Sequence, residues 1–405
     1  MLQFKEFLKE EKDAQGHGSD GDKLKHITHP EDRPLMHGHS GFERAHGSLT
    51  QAHEHIKSGS SNSNLSMKYD GSPSVVFGHH PDTKKFFVAT KSAFNKDPKI
   101  NYTAKDIEIN HGHAPGLVTK LKAALQHLPK VAPKSGVYQG DIMHSEGDVK
   151  HDKKAGTATF TPNTITYKAS GEQAKKIAKS KFGVVVHTKY QGKDFNSMRA
   201  HHDVGHSDFG QHPDVYHHDA SHDTSKVSYP AAAQAKFQKH MAAAKDIHDT
   251  HGTKMYNAVH PEHKGDSGHL ASYINSTVRT DSVPTAKGFQ QHVASQYEKK
   301  AAKLKSEAGQ QKHKAEGASQ VAHIEKNKSH YENLLNMHHH LAQAKNTLVK
   351  HLETHEGGYT HSIGDKESKP EGFVVHHRHV GVSQPDKLVN RAEFAKANLL
   401  KVTKK

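Results

Sequence analysis

The spacing of hydrophobic positions along this chain changes character twice. Between residues 65 and 195 the apolar runs are short: Val75-Val76-Phe77, Phe86-Phe87-Val88-Ala89, Val137-Tyr138, Ile165-Thr166-Tyr167 and Gly183-Val184-Val185-Val186. Runs of this length, rich in β-branched and aromatic residues and separated by turn formers, predict strands. Within the same region, Leu117, Val118, Leu121, Ala124, Leu125 and Leu128 follow helical spacing and predict an amphipathic helix over 117–128. Beyond Tyr229-Pro230, residues 231–248 and 287–355 are rich in Ala, Lys, Gln and His, with little β-branching. There Ile324, Tyr331, Leu334, Leu341, Leu348 and Leu352 form one apolar stripe, which fits either a helical bundle packing on itself or a basic arm lying along nucleic acid.

Strand texture returns at Gly372-Phe373-Val374-Val375-His376-His377 and at Lys387-Leu388-Val389-Asn390. A helical segment between two β-rich stretches predicts an insertion into one domain. Ahead of it all, the pattern predicts a short amphipathic helix at 1–12, a Gly/Asp/His-rich connector, a helix through Gly47–Lys57 and an exposed loop at Ser58–Asn64. The expected organisation is an N-terminal extension (1–64), the first part of a catalytic domain (65–228), a helical insertion (229–356) and the last part of that domain (357–405).

Charge adds a partner class. The 405 residues hold 57 Lys and Arg against 43 Asp and Glu, a formal charge of +14, which suits a polyanion such as nucleic acid. No cysteine is present, so disulfides, thiolate zinc sites and cysteine nucleophiles are excluded. No apolar run has membrane-spanning length and the N-terminus lacks a signal-peptide core, so a soluble, intracellular protein is expected. The 42 histidines are densest between His201 and Asp223. Imidazoles interleaved with carboxylates can bind Zn²⁺, Ni²⁺ or Fe²⁺, but the bias runs through the whole chain. Titration of so many imidazoles predicts a positive charge that rises steeply below pH ~6.5.

Chemistry concentrates in Leu65-Ser66-Met67-Lys68-Tyr69-Asp70-Gly71-Ser72-Pro73-Ser74-Val75-Val76-Phe77-Gly78. A lysine, a spacer, an aspartate and a glycine leading into a strand read as a turn able to hold an amine against a nucleoside triphosphate; the bland alternative is a charged turn. The amine must be neutral to attack phosphorus, and Gly71 permits close backbone approach. Further along stand Thr90-Lys91-Ser92, Val137-Tyr138-Gln139-Gly140-Asp141-Ile142, Phe182-Gly183-Val184-Val185-Val186-His187, Glu371-Gly372-Phe373-Val374-Val375 and Lys387-Leu388-Val389-Asn390.

In this order, these segments resemble the motifs of the covalent nucleotidyltransferases, the superfamily of ATP-dependent DNA ligases, RNA ligases and capping enzymes. The resemblance implies that Lys68 becomes linked to AMP, with Asp70 beside it in the catalytic turn. It implies that Gly71, Lys91, Asp141, Phe182, Glu371, Lys387 and Arg391 surround the nucleotide, and that Asp141 and Glu371 hold Mg²⁺ or Mn²⁺. ATP would be the nucleotide donor. The phrasing around Lys68, with His29-Pro30-Glu31-Asp32 and Lys387–Phe394, is also similar to ligase-like proteins of tailed bacteriophages, which implies the cytoplasm of an infected cell.

The match has departures. Ser66 stands where many DNA ligases carry a glutamate that reads adenine. Valines fill the place of the base-stacking aromatic, so Phe182 or an aromatic from elsewhere would have to stack. Val389 replaces a second lysine, with Arg391 as its stand-in. The stretch after Glu371 is too short for the OB domain of DNA ligases and capping enzymes. The fold expected is therefore α+β, an antiparallel-sheet nucleotidyltransferase domain with a mainly α-helical insertion and no C-terminal OB domain. The function expected is a monomeric ATP-dependent polynucleotide ligase sealing nicked duplexes or strand ends of DNA, RNA or both. The alternative is an inactive ligase-fold protein that binds nucleic acid or belongs to a virion.

Overall fold

The computed structural model describes residues 27–59, 64–201, 204–259, 266–280, 282–355, 357–379 and 382–391. The helix expected at 1–12 lies outside the described residues, as does most of the loop expected at Ser58–Asn64. The fold is mixed α+β with mainly antiparallel sheets. Its elements are α1 (Arg33–Ser58), β1 (Leu65–Lys68), β2 (Ser74–His79), β3 (Phe86–Ala89), α2 (Ala104–His111), α3 (Pro115–His127), β4 (Val137–Ser145), β5 (Lys150–Asp152), β6 (Thr157–Phe160), β7 (Thr166–Ser170), α4 (Gly171–Lys179), β8 (Phe182–Gln191), β9 (Arg199–His201) and β10 (Val215–His217). There follow α5 (Ala231–Val259), α6 (Asp266–Thr280), α7 (Ala286–Ala301), α8 (Glu307–Lys326), α9 (Lys328–Leu352), β11 (Tyr359–Ile363), β12 (Lys366–Ser368), β13 (Gly372–His379) and β14 (Val382–Leu388).

These elements fall into two compact units. The first draws on residues 64–223 and 355–385 and holds the sheets; the second draws on 28–59, 224–354 and 386–391 and is mostly helical. Helix α1 belongs to the helical unit, and so do residues 386–391.

In the first unit the largest sheet has the order β10-β8-β4-β2-β3, with β9 pairing the far end of β8; only β10 runs parallel to its neighbour. Alternation along its strands gives the sheet two apolar faces. One carries Val75, Phe77, Val88, Ile142, Val184 and Val186 against Ile107, Leu121, Ala124 and Leu128 of α2 and α3. The other carries Val76, Phe87, Ala89, Val137 and Tyr190. A second sheet, β12-β11-β7-β6-β5, lines up Phe160, Tyr167 and Tyr359, whose rings meet Tyr69 and His218. A third consists of β1, β13 and β14.

In the second unit, the stripe foreseen from sequence is buried in full: Ile324, Tyr331, Leu334, Leu341, Leu348 and Leu352 are all at most 1% exposed. It belongs to two helices, because the chain breaks at Asn327 between α8 and α9. Helix α9 packs chiefly on α5, with Leu35, Phe42, Leu49 and Ile56 of α1 completing the core. A closed set of ions is buried beside it. Lys345 pairs with Glu31, Arg33 with Asp386, and Arg391 with Asp32 at 2.9 Å.

Many histidines are core residues. His144 and His222 are each 1% exposed, and burial lowers both to about 4. Burial also lowers His29, His127, His218, His240 and His340, among others. The steep rise in charge expected below pH ~6.5 is thus blunted, because protonating these rings means exposing them first.

Two predictions follow from this packing. A folded value below the unfolded one means the unfolded chain takes up protons that the native state refuses. Stability from His144 and His222 is therefore full above pH 6.5 and declines as pH falls toward 4, by about 1.4 kcal/mol per pH unit for each. Urea midpoints measured from pH 7 to pH 5 should fall, and His144→Leu should flatten the slope. In the helical unit, Lys345→Met removes the nearest partner of Glu31 and leaves Arg391 at 3.7 Å; it should cost roughly 3 kcal/mol, while the double variant with Glu31→Met should recover most of it, and chemical denaturation followed by circular dichroism checks this.

Candidate active site

Strand β1 ends at Lys68, and its antiparallel register pairs Lys68 with Gly372 at the start of β13. That pairing brings the preceding residue, Glu371, over the lysine: Nζ lies 2.5 Å from Oε2. The lysine side chain is 29% exposed and the glutamate 12%. Burial alone would lower the Lys68 amine, but the carboxylates of Glu371, Asp141 and Asp70 outweigh it and hold it above its usual value. Glu371 is raised, first by burial and then by Asp70 and Asp141, against the pull of Lys68.

Asp141 enters from the middle of β4, opposite Ser74 of β2. The β4–β8 register slips between Gln139 and Gly140, which pair with Thr188 and Val186, so His187 is the extra residue of a β-bulge. A bulge re-aims the side chain it carries, and His187 Nε2 stands 3.5 Å from Asp141 Oδ2. Burial pushes the Asp141 carboxyl up, but His187, Lys68 and Ser74 bring it below its ordinary value. Behind Ser74, Gln139 Nε2 donates to the Ser74 hydroxyl at 3.0 Å, and the Tyr190 hydroxyl donates to Gln139 Oε1 at 2.5 Å.

The turn between β1 and β2 is fixed from both sides. Asp70 is 6% exposed, and its carboxylate accepts from Asn163 Nδ2 at 2.8 Å and from the backbone N–H groups of Thr164 and Ile165 at 2.7 and 2.8 Å. Its own N–H donates to the Tyr167 hydroxyl at 2.7 Å. Gly71 lies so close to β4 that an added Cβ would be 2.5 Å from Asp141 Cβ and 3.0 Å from Met143 Sδ. Ser72 and Ile142 add reciprocal backbone bonds, from Ser72 N–H to Ile142 O and from Ile142 N–H to Pro73 O, each 3.0 Å.

Of the residues singled out from sequence, the first unit thus gathers Lys68, Asp70, Gly71, Asp141 and Glu371. Asp70 is an anchor for the turn, since its oxygens are occupied by three N–H donors. Phe182 is fully buried in the cluster that holds Val184, Leu128 and Ile142, with its ring nearly parallel to His127. Lys91 opens a single 3₁₀ turn after edge strand β3 and forms no ion pair with a described residue. Lys387 and Arg391 belong to the second unit, where the Lys387 N–H donates to Thr28 O and Arg391 holds Asp32 and Asn275. The sequence reading passed over His187, Ser74, Gln139 and Tyr167. His187 carried a signal, being a polar residue that interrupts an apolar strand.

Asp141 and Glu371 provide the oxygen donors that Mg²⁺ prefers, and that ion commonly takes one or two carboxylates plus phosphate oxygens. Among the described residues no group of three or more His, Asp or Glu side chains is arranged to hold a metal, including in the histidine-rich stretch before Asp223. Nor is any described helix long and apolar enough to cross a membrane.

What these strands assemble is an α+β unit with a lysine held by carboxylates from separate segments of the chain. The chain belongs to a family of unknown function, DUF6267, whose profile matches residues 23–404. No curated protein and no solved structure matches it.

Gly71→Ala tests how tightly the turn and β4 are juxtaposed. The contact with Asp141 cannot relax without moving backbone, so the variant should lose about 1–3 kcal/mol of stability, read as a lower urea midpoint. It should also displace Asp141 from Lys68, visible in a crystal structure of the variant.

Proposed function

We propose that this protein is an ATP-dependent polynucleotide ligase that works through a covalent Lys68–AMP intermediate. The observation that carries this reading is the convergence of Lys68, Asp141 and Glu371. They come from β1, β4 and the start of β13, and they meet only because the strands pair as they do.

In this reading Lys68 Nζ attacks the α-phosphorus of ATP; an N–P bond forms as the bond to pyrophosphate breaks. The amine must first lose a proton, and Glu371, 2.5 Å away, is the base within reach. A 5′-phosphate oxygen of a nucleic-acid end then attacks the same phosphorus and frees Lys68. A 3′-hydroxyl finally attacks the 5′-phosphorus, sealing the strand and releasing AMP. Asp141 and Glu371 would hold Mg²⁺ or Mn²⁺, which neutralises phosphate charge and relieves the negative field on Lys68. His187, through Asp141, keeps that carboxylate ionised and oriented. The setting that fits the phage likeness is the cytoplasm of an infected cell.

Three observations favour a second reading, an inactive ligase-fold protein that binds nucleic acid or is associated with a virion. The amine is held protonated by its ion pair, the proposed stacking ring is in the core, and Arg391 is engaged with Asp32.

Incubation with labelled ATP and Mg²⁺ separates the two. The ligase should acquire an acid-stable label, discharge it on 5′-phosphorylated nicked strands and lose it in Lys68→Arg, which keeps a cation beside Glu371 but removes the nucleophile. Nucleic-acid binding with no label from ATP or GTP would defeat the ligase reading and support the second.

A further inference from the structure

Helices α7 and α8 form a hairpin in the helical unit, and its tip gathers lysines. Lys299 and Lys300 end α7, Lys303 and Lys305 lie in the connecting loop, and Lys312 and Lys314 follow in the first turns of α8. All six are exposed. Lys245 elsewhere in the unit pairs with Asp249, whereas none of these six forms an ion pair with a described residue. Across residues 299–314 the one acidic side chain is Glu307.

The lysines stand on a fixed support. A Cβ at Gly317 would be 2.7 Å from Tyr297 Cβ, so the missing side chain lets α8 close on α7 at that ring. Lys300 Nζ lies 5.6 Å from the Tyr297 ring centroid, and His313 packs against the same ring from α8. Ala301 is fully buried immediately below the loop, and Gln310 ties it by donating to Leu304 O at 2.9 Å. The cost of holding so much like charge in one place is lowered by a polyanion.

We propose that the tip of the α7–α8 hairpin is a docking surface for the phosphate backbone of a nucleic-acid duplex. The chemistry selects this occupant. A lipid surface is normally gripped by large apolar side chains beside the cations, and the exposed large hydrophobics among the described residues (Met36, Ile109 and Val283) are not at the tip. Lysines without exposed aromatic rings contact phosphates and not base edges, so binding here is independent of sequence. The inference rests on the ligase reading only in expecting the duplex to be nicked.

The experiment is fluorescence anisotropy with nicked duplexes of two unrelated sequences over a range of salt. It compares the full chain with the variant Lys299→Gln, Lys300→Gln, Lys303→Gln, Lys305→Gln. The parent should bind both sequences equally. The variant should bind roughly tenfold or more weakly at ~0.1 M salt, with a log–log salt dependence shallower by about 3 to 4. Lys175→Gln, Lys176→Gln, Lys179→Gln on α4 serves as a control for net charge. An equal loss in that control, an unchanged affinity in the tip variant, or binding of anionic vesicles but not duplex would each overturn the proposal. Labelling of the same samples with ATP is read separately. A tip variant that labels normally but binds duplex poorly supports the surface, whereas failure of every protein to label refutes the ligase reading and leaves the anisotropy result standing.

Discussion

The carboxylate of Asp70 ties the first unit together beside its candidate site. A single buried side chain accepts three N–H groups from residues 163–165, while the backbone of the same residue donates to Tyr167. The turn after Lys68 is therefore tied to β7, although nearly a hundred residues separate them. A buried carboxyl group without such partners would be costly to hold away from water. With the turn fixed on that side and pressed against β4 at Gly71 on the other, Lys68 has little freedom except to lie between Glu371 and Asp141.

This arrangement explains why the site is an ion pair at rest. Three carboxylates surround one amine, so the proton stays on nitrogen and the cluster keeps an excess of negative charge. Chemistry at Lys68 would demand that this field be weakened by something that draws on the carboxylates. The hydrogen-bonded line from Tyr190 through Gln139 and Ser74 approaches Asp141 from the core side, opposite the more open side on which His187 reaches it. Asp141 is thus held from within the sheet, whatever binds in front of it.

Much of this was legible in the chain. The apolar runs at 75–77, 86–89 and 183–186 lie within strands, and the stripe from Ile324 to Leu352 is core, because burial on one face leaves a period that survives in one dimension. The strands β5, β6, β11 and β12 were harder to read: their outward positions include Thr, Lys and Ser, and their inward ones include Ala and His, so contrast is low. Helix α1 was recognised only from Gly47, since Gly38 and Gly41 precede it. Gly38 takes φ 57° at a kink, and a Cβ on Gly41 would meet Arg33 O at 2.2 Å. Gly38 thus interrupts the helical path, while Gly41 lets the chain pass close to the Arg33 carbonyl. Pairing of Lys68 with Gly372, and the bulge that turns out His187, depend on strand register, which a linear pattern does not encode.

The threading of the chain between its two units bears on how it is made. Residues of the helical unit are drawn from before β1, from the long central segment and from after Pro385, and the sheet unit is completed by strands that arrive late. The sheet unit gains its last strands only after residue 355, and the ion cluster around Glu31 waits for Asp386 and Arg391. Contacts so distant in sequence slow folding and leave apolar surface uncovered during synthesis. A nascent chain of this kind needs shelter from its neighbours until its last strands are available.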